Sequence, residues 1–215
     1  VIAASEPRTD RRRARTRSAL LRAGQSLFAD QSVDAVSIDD IVAAADVAKG
    51  SFYNHFSDKE ALAREIAMAV RAEAEAEIET ANAGVDDPAS RMARAQTVFV
   101  RFARRDPQRA RAMMRLFAGA TLPNAPLNRG VRADVEAGLT AGAFRGLTVE
   151  TGVLMAMGAA LVAVTRVLEP GAATSAADLC RGLNFGLLRG LGVDEDQARR
   201  VADAAADDLL QEDRS

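Results

Sequence analysis

The stretch Ser37 to Glu60, SIDDIVAAADVAKGSFYNHFSDKE, reads as a short helix, a tight turn, a second short helix and the start of a third. Ser37 is a good N-cap, and Asp40, three residues on, puts a carboxylate where a helix N-terminus favours one. Ile38, Ile41 and Val42 recur at helical spacing and give the first helix one apolar face. Asp46 closes it, aspartate being one of the few residues besides glycine that tolerates a left-handed turn. The second helix carries Lys49 to Phe56, with Phe52 and Phe56 four apart and turned inward. Ser57 with Glu60 predicts a capping box at the start of the third.

Lys49, Ser51, Tyr53, Asn54 and His55 are left on the outer face or margins of the second helix. Gly50, near its start, opens the backbone to close approach by another surface. A helix-turn-helix needs this arrangement, because its second helix lays donors against phosphates and base edges in a major groove. Composition points the same way. Lys49 and Lys59 are the only lysines of the chain, Tyr53 its only tyrosine and His55 its only histidine, and all four fall in this stretch.

On these residues the sequence resembles the tetracycline-repressor (TetR) family of bacterial transcriptional regulators. The resemblance runs from about Arg15 to Ile66, through LLRAGQSLF and then SIDDIVAAADVAKGSFYNHFSDKEAL. Its most specific part is KGSFYNHFSDKEAL. The chain departs from the family's usual glycines at Ser32 and Asp46, its basic or polar residue at Asp39 and its serine at Ala48. The resemblance implies an all-α protein in two parts. Residues 1–60 would bind DNA, with the helix-turn-helix at about 37–56, and residues 61–215 would bind a ligand and dimerise. It implies phosphate contacts from Ser37, Tyr53, His55 and Lys59. Lys49, Gly50 and Ser51 would face bases, and Asn54 either. The expected partners are double-stranded operator DNA, (pseudo)palindromic in sequence, a small hydrophobic or amphipathic effector and a second copy of the chain. The expected role is a repressor released by that effector. An activator or ligand-dependent binder of the same fold, and a helical carrier without DNA binding, are the alternatives.

The rest of the 215 residues is compatible with this picture. Ala, Arg and Leu dominate and β-branched runs bounded by turn residues are scarce, which favours an all-α fold. The net charge of −2 conceals an asymmetry: residues 1–29 hold seven arginines against Glu6 and Asp10, a net of +5, which leaves −7 on the remainder. A basic end on an acidic body fits an anionic partner at one end. Within that end, Arg11, Arg12, Arg13, Arg15 and Arg17 read either as an arm reaching DNA or as the solvated start of a helix.

Further helices are expected at about 57–81, 88–105, 107–119, 127–144, 148–168, 175–191 and 194–210, with TLPNAP at 121–126 a loop. The helix from Ser57 is a long connector with an acidic far half, Glu73, Glu75, Glu77 and Glu79. Phe99, Phe102, Met113, Phe117 and Met155 are candidates to line an effector pocket, methionine being adaptable, although each reads first as core. Gly182, Gly186 and Gly190 recur every four residues in a helical segment. An interior helical glycine costs about 1 kcal/mol, so a second helix is expected along the stripe. Gly158 and the small residues Gly152, Ala156, Ala159, Ala160 and Ala163 offer a matching surface, within one subunit or across a dimer.

No catalytic or metal site is expected. One His and one Cys lie far apart, and Ser51 with His55 lacks an accompanying oxyanion-hole motif. No phosphate loop, dinucleotide fingerprint or cofactor site is visible. The single Cys180 fits a reducing, cytoplasmic setting. Neither a secretory leader nor an uncharged apolar run of about 18 residues is expected.

Overall fold

The computed structural model describes residues 8–116, 129–171 and 174–210, and among these every regular element is an α-helix. In chain order they are α1 (Arg8–Asp30), α2 (Ile38–Ala45), α3 (Lys49–Tyr53), α4 (Lys59–Ala81), α5 (Pro88–Arg105) and α6 (Pro107–Leu116). They continue with α7 (Arg129–Thr140), α8 (Val149–Leu168), α9 (Ala176–Gly190) and α10 (Glu195–Leu210). Phe117 and the TLPNAP loop lie outside the described residues.

Local chemistry sets the helix ends. Ser37 and Asp40 form a reciprocal capping box: Asp40 N donates to Ser37 Oγ at 3.1 Å, and Ser37 N donates to Asp40 Oδ2 at 2.9 Å. Asp46 ends α2 in the left-handed region, at φ 53°. The start of α4 differs from the sequence expectation. Its N-cap is Asp58, which accepts from Ala61 N, while Ser57 Oγ donates to Asp58 Oδ2 at 2.8 Å. A carboxylate is the stronger acceptor for a helix N-terminus, so Asp58 displaces the expected Ser57–Glu60 box. The recognition segment is also shorter than expected: α3 stops at Tyr53, and Asn54 and His55 form the turn that follows. At the N-terminus, Arg11 to Arg17 are part of α1, so the basic run is a helix rather than an extended arm. Helix α7 ends at Thr140, short of the expected 144. Gly142 takes φ 70°, Phe144 N donates to Gly138 O at 3.0 Å, and the Phe144 ring fills the space where a side chain on Gly138 would sit.

Two apolar clusters matter for function. The first joins Leu20 and Phe28 of α1, Ile41 and Val42 of α2, and Phe52 and Phe56 to Leu62, Ile66 and Val70 of α4. It continues without a break through Phe99 and Phe102 of α5 and Met113 of α6 to Val164 of α8. The second gathers Met92 and Ala93 of α5, Val135, Phe144, Val153, Leu187, Leu188 and Ala198 under α5 and α7 to α10. Gly24 is where α1 crosses α4: a β-carbon there would lie 2.8 Å from Leu62 Cδ2 and 3.0 Å from Ile66 Cδ1. Helix α6 lies along α1. Gln108 Nε2 donates to Ser26 Oγ at 2.8 Å, and Arg115 Nε donates to Ala29 O at 3.0 Å, among the carbonyls that α1 leaves unpaired at its end. The acidic half of α4 is matched by arginines of the next two helices, Glu77 with Arg101 and Arg105, and Glu73 with Arg109.

Helix α8 has 20 residues and a mean hydropathy of 1.8, long and apolar enough by length and composition to cross a membrane. Here it belongs to the bundle, with Gly152, Val153, Ala156, Ala163 and Val164 buried in the protomer. Its opposite face is exposed and apolar, with Leu154, Gly158, Leu161 and Val162 in one stripe. Beside it on α9, Gly182 and Gly186 are exposed, and none of the described residues approaches a β-carbon built on either of them or on Gly158. Gly190 is different, because the Met155 methyl occupies the space beside it. The expectation that Gly152, Ala156 and Ala163 face the glycine stripe is therefore corrected. Those residues pack inward, and the exposed face of α8 is carried by the set around Gly158.

Candidate functional site

The exposed end of the molecule is built on a very short helix. Five residues cannot hold a helix in water alone. Phe52 and Phe56, both buried, fasten the segment to the core, with ring centroids 5.7 Å apart. That anchoring turns the other side chains outward. Lys49, Gly50, Tyr53 and Asn54 are exposed, Tyr53 retaining 54% of its surface, while Ser51 and His55 are half-buried at the margin. Among the described residues, nothing lies within 4 Å of a β-carbon built on Gly50.

The cations of this face already have partners. Lys49 Nζ sits 2.8 Å from Asp39 Oδ1 and 3.0 Å from Oδ2, an ion pair between the first turns of α2 and α3. The hydrogen bond to Asp39 and its charge raise the lysine pKa. Lys59 Nζ donates to Asp34 O at 3.1 Å and Val36 O at 2.9 Å, tying the start of α4 to the α1–α2 connection. An ammonium has three hydrogens, so one is left to point outward. Ser37 Oγ donates to Asp40 Oδ2 at 2.6 Å and is committed to its cap. Neither the Asp39–Lys49 pair nor the Lys59 contacts are legible from spacing, because both join residues ten or more positions apart.

Beside α3, Asp10, Arg13, Ala14 and Arg17 of α1 face Asn54 and His55 across a cleft of about 350 Å³. Arg17 pairs with Glu65 and lies 5.6 Å from the Phe56 ring centroid. Desolvation first, and then the charges of Arg13 and Arg17, hold the His55 pKa below its ordinary value. Arg13, Arg17 and His55 supply donors of the kind a phosphate oxygen accepts from, beside the carboxylate of Asp10. Arg11, Arg12 and Arg15 are exposed on the same helix but do not line it.

A second site lies inside the helical body. An inner chamber of about 90 Å³ is lined by Phe99, Met113, Met114, Met157, Leu161 and Val164, together with Arg71, Gln96, Val131, Ala156 and Ala160. Arg71, Gln96, Phe99 and Val131 also line an outer chamber of about 490 Å³ between α4, α5 and α7. Of the sequence candidates, Phe99 and Met113 line the inner chamber. Phe102 is fully buried in the core and Met155 packs on Gly190, so neither lines a chamber. Phe117 lies outside the described residues. Gln96 escaped the sequence reading because it is a single polar residue on a largely apolar face of α5, and Arg71 because its pairing with Glu75 reads as an ordinary helix-surface ion pair. Cys180 is buried among apolar groups, which push its thiol up to about 12 and leave it unreactive.

Comparison with known proteins fits both halves of this geometry. The family described as bacterial regulatory proteins, tetR family, matches residues 20–66, and the family described as tetracyclin repressor-like, C-terminal domain, matches residues 87–204. The chain belongs to the TetR family of transcriptional regulators. The HTH-type transcriptional repressor DhaR of Mycobacterium sp. (strain GP1) is 42% identical over 50 residues, covering 23% of this chain. The matched stretch spans only 25% of that curated relative. Among solved structures, RolR in complex with resorcinol aligns at 24% identity and a TM-score of 0.59, covering 89% of this chain and 95% of that one. A γ-butyrolactone receptor (ArpA-like protein) aligns at 19% and 0.68, covering 94% and 98%. At these identities the structural likeness speaks for the fold. In a TetR-family regulator the α2–α3 segment is the DNA-reading unit.

Two outcomes are expected from the geometry of the exposed end. Lys59→Ala should weaken binding to all DNA sequences alike and lower the salt slope by about one. Titrations over a salt series check this; an unchanged slope with reduced stability would assign Lys59 to holding the α1–α2 connection alone. His55 generates a pH dependence. In the free protein its lowered pKa means that the folded state binds fewer protons, so stability declines as pH falls through the histidine range. A DNA phosphate in the cleft acts the other way, favouring the imidazolium. DNA affinity should therefore rise as pH falls from about 8 to about 6. His55→Gln should flatten that dependence in binding titrations at constant ionic strength.

Proposed function

We propose that this regulator is a homodimeric repressor that a small molecule releases from a (pseudo)palindromic operator. The observation that carries this is the double role of α6. On one side it lies along α1 and donates two hydrogen bonds to it, from Gln108 and Arg115. On the other it contributes Met113 and Met114 to the wall of the inner chamber. A molecule entering the chamber presses on the helix that supports the DNA-reading unit. Both lie in one close-packed cluster, and such clusters change by repacking rather than by stretching. Tilting the two recognition helices away from a spacing of about 34–36 Å lowers operator affinity, and DNA weakens effector binding by the same factor. The repressor named among the relatives, and the resorcinol complex and γ-butyrolactone receptor among the structures, support a small-molecule-responsive repressor.

In this scheme residues 1–60 form the DNA-binding part, and residues 61–215 the effector and dimer part. Lys59, His55 and Tyr53 meet phosphates, joined by Arg13 and Arg17 at the cleft. Lys49, Gly50 and Ser51 face bases, and Asn54 reaches either. Lys49 must first exchange its partner Asp39 for DNA. The dimer forms through the exposed faces of α8 and α9, where Leu154, Leu161 and Val162 present apolar surface beside Gly158, Gly182 and Gly186. A two-fold interface of this kind is isologous, so each residue acts twice.

A gel shift against the DNA flanking its own gene tests the operator half: retarded bands competed only by specific DNA are expected, and none at physiological salt would refute it. Gly186→Leu tests the dimer half. Because none of the described residues of the protomer approaches a β-carbon at this position, the substitution is expected to leave the monomer fold intact and to obstruct only the partner. Analytical ultracentrifugation should give a folded monomer with steeply reduced operator affinity. A stable dimer with unchanged affinity would place the interface elsewhere.

A further inference from the structure

Gln96 lines both chambers, as do Arg71, Phe99 and Val131. It is 7% exposed. Its Nε2 donates to Ala156 O at 3.0 Å. That carbonyl can only accept, so the amide nitrogen must face it and the orientation of the side chain is settled. The amide oxygen is then left buried, with no hydrogen-bond partner among the described residues. A buried acceptor without a partner is costly, so a donor that reaches it from the chamber gains by pairing with it.

The surroundings restrict what that donor belongs to. Below Gln96 the inner chamber is walled by Phe99, Met113, Met114 and Val164, and holds about 90 Å³. That is less than the roughly 150 Å³ cavity known to hold benzene, so it takes a short apolar end of a few carbons. Above Gln96 the outer chamber has room for a larger group. Its charges are balanced. Arg71 pairs with Glu75 and lies over the Phe99 ring, Arg91 pairs with Asp134, and Glu79 and Arg129 add one charge of each sign. An anionic or cationic head would meet a carboxylate or guanidinium of its own sign, whereas an uncharged polar head meets neither penalty.

We propose that the effector is an uncharged amphiphile whose short apolar end fills the inner chamber and whose hydroxyl or N–H group donates to Gln96 Oε1. This rests on the reading of the chain as an effector-responsive regulator. Gln96 thereby becomes the residue that separates donors from non-donors of the same shape. A site that hydrogen-bonds a hydroxyl discriminates strongly against the analogue lacking it, because its own polar group is otherwise left unpaired.

Three probes that share a four-carbon apolar chain test this on the full-length protein by calorimetric titration: butan-1-ol, butyl methyl ether and pentanoate. Wild type is expected to bind the alcohol at least about tenfold more tightly than the ether or the carboxylate, the size of a lost hydrogen bond. Gln96→Leu should remove the preference for alcohol over ether while keeping affinity for the apolar chain. An ether as tight as the alcohol on wild type overturns the proposal without any variant, as does absence of alcohol binding. So does a preference that survives Gln96→Leu. Operator release is measured separately. Alcohol binding with the Gln96 pattern but no release would overturn the regulatory reading and leave the chamber chemistry standing. Release by pentanoate with no response to the alcohol would do the reverse.

Discussion

Burial of Phe52 and Phe56 is the constraint on which the molecule turns. Helix α3 has five residues and no side-chain cap at its N-terminus, so its backbone hydrogen bonds cannot hold its position. The two rings do so, inserted in a cluster with Leu20, Ile41, Leu62 and Ile66. That cluster does not end at the DNA-reading unit. It runs along α4, takes in Phe99, Phe102 and Met113, and reaches Val164. The wall of the inner chamber and the seat of the recognition helix are therefore parts of one packed body. Close-packed interiors transmit a displacement, the property by which the proposed mechanism links the chamber to DNA.

Much of the fold was legible because helical chains punctuate themselves, although the start of α1 at Arg8, ahead of the basic run, was not, and only its end at Asp30 was expected. Pro88 and Pro107 open α5 and α6, Asp46 turns left-handed as its type allows, and the ends of α1, α4, α5, α8, α9 and α10 fall within two residues of expectation. The misses have local causes. Asp58 outcompeted Ser57 as a cap because it is charged. Helix α7 stopped early because Gly138 leaves a slot for the Phe144 ring, a three-dimensional fit that periodicity does not encode. On the exposed face, Lys49, Gly50, Tyr53 and Asn54 were identified from the inward turn of two phenylalanines. Their partners were not, since Asp39 and the carbonyls of Asp34 and Val36 come near only through folding. The chamber was the least legible part. Met113 and Phe99 line it while Phe102 does not, and no property of a buried phenylalanine in sequence distinguishes wall from core.

Electrostatics give the two ends different characters. At the DNA end, Lys49 is held by Asp39, and His55 is kept neutral by burial and by Arg13 and Arg17. Both are arrangements that a polyanion would alter. In the body, Glu73 and Glu77 are matched by arginines of α5 and α6. Those pairs bind the connector α4 to the helices that bound the chamber, so a movement of α6 has α4 and α1 as its first recipients.

The central claim is that filling the inner chamber changes the separation of the two recognition helices through α6. The direct measurement is the distance between spin labels placed at Tyr53 of each protomer, by pulsed dipolar spectroscopy, in the otherwise wild-type dimer and in a Met113→Trp variant whose larger side chain occupies the chamber. The account predicts a distribution centred near the operator half-site spacing of about 34–36 Å for the first, and a displaced or broadened one for the variant, with reduced operator affinity. Identical distributions in two folded dimers, with the chamber filled, would contradict it.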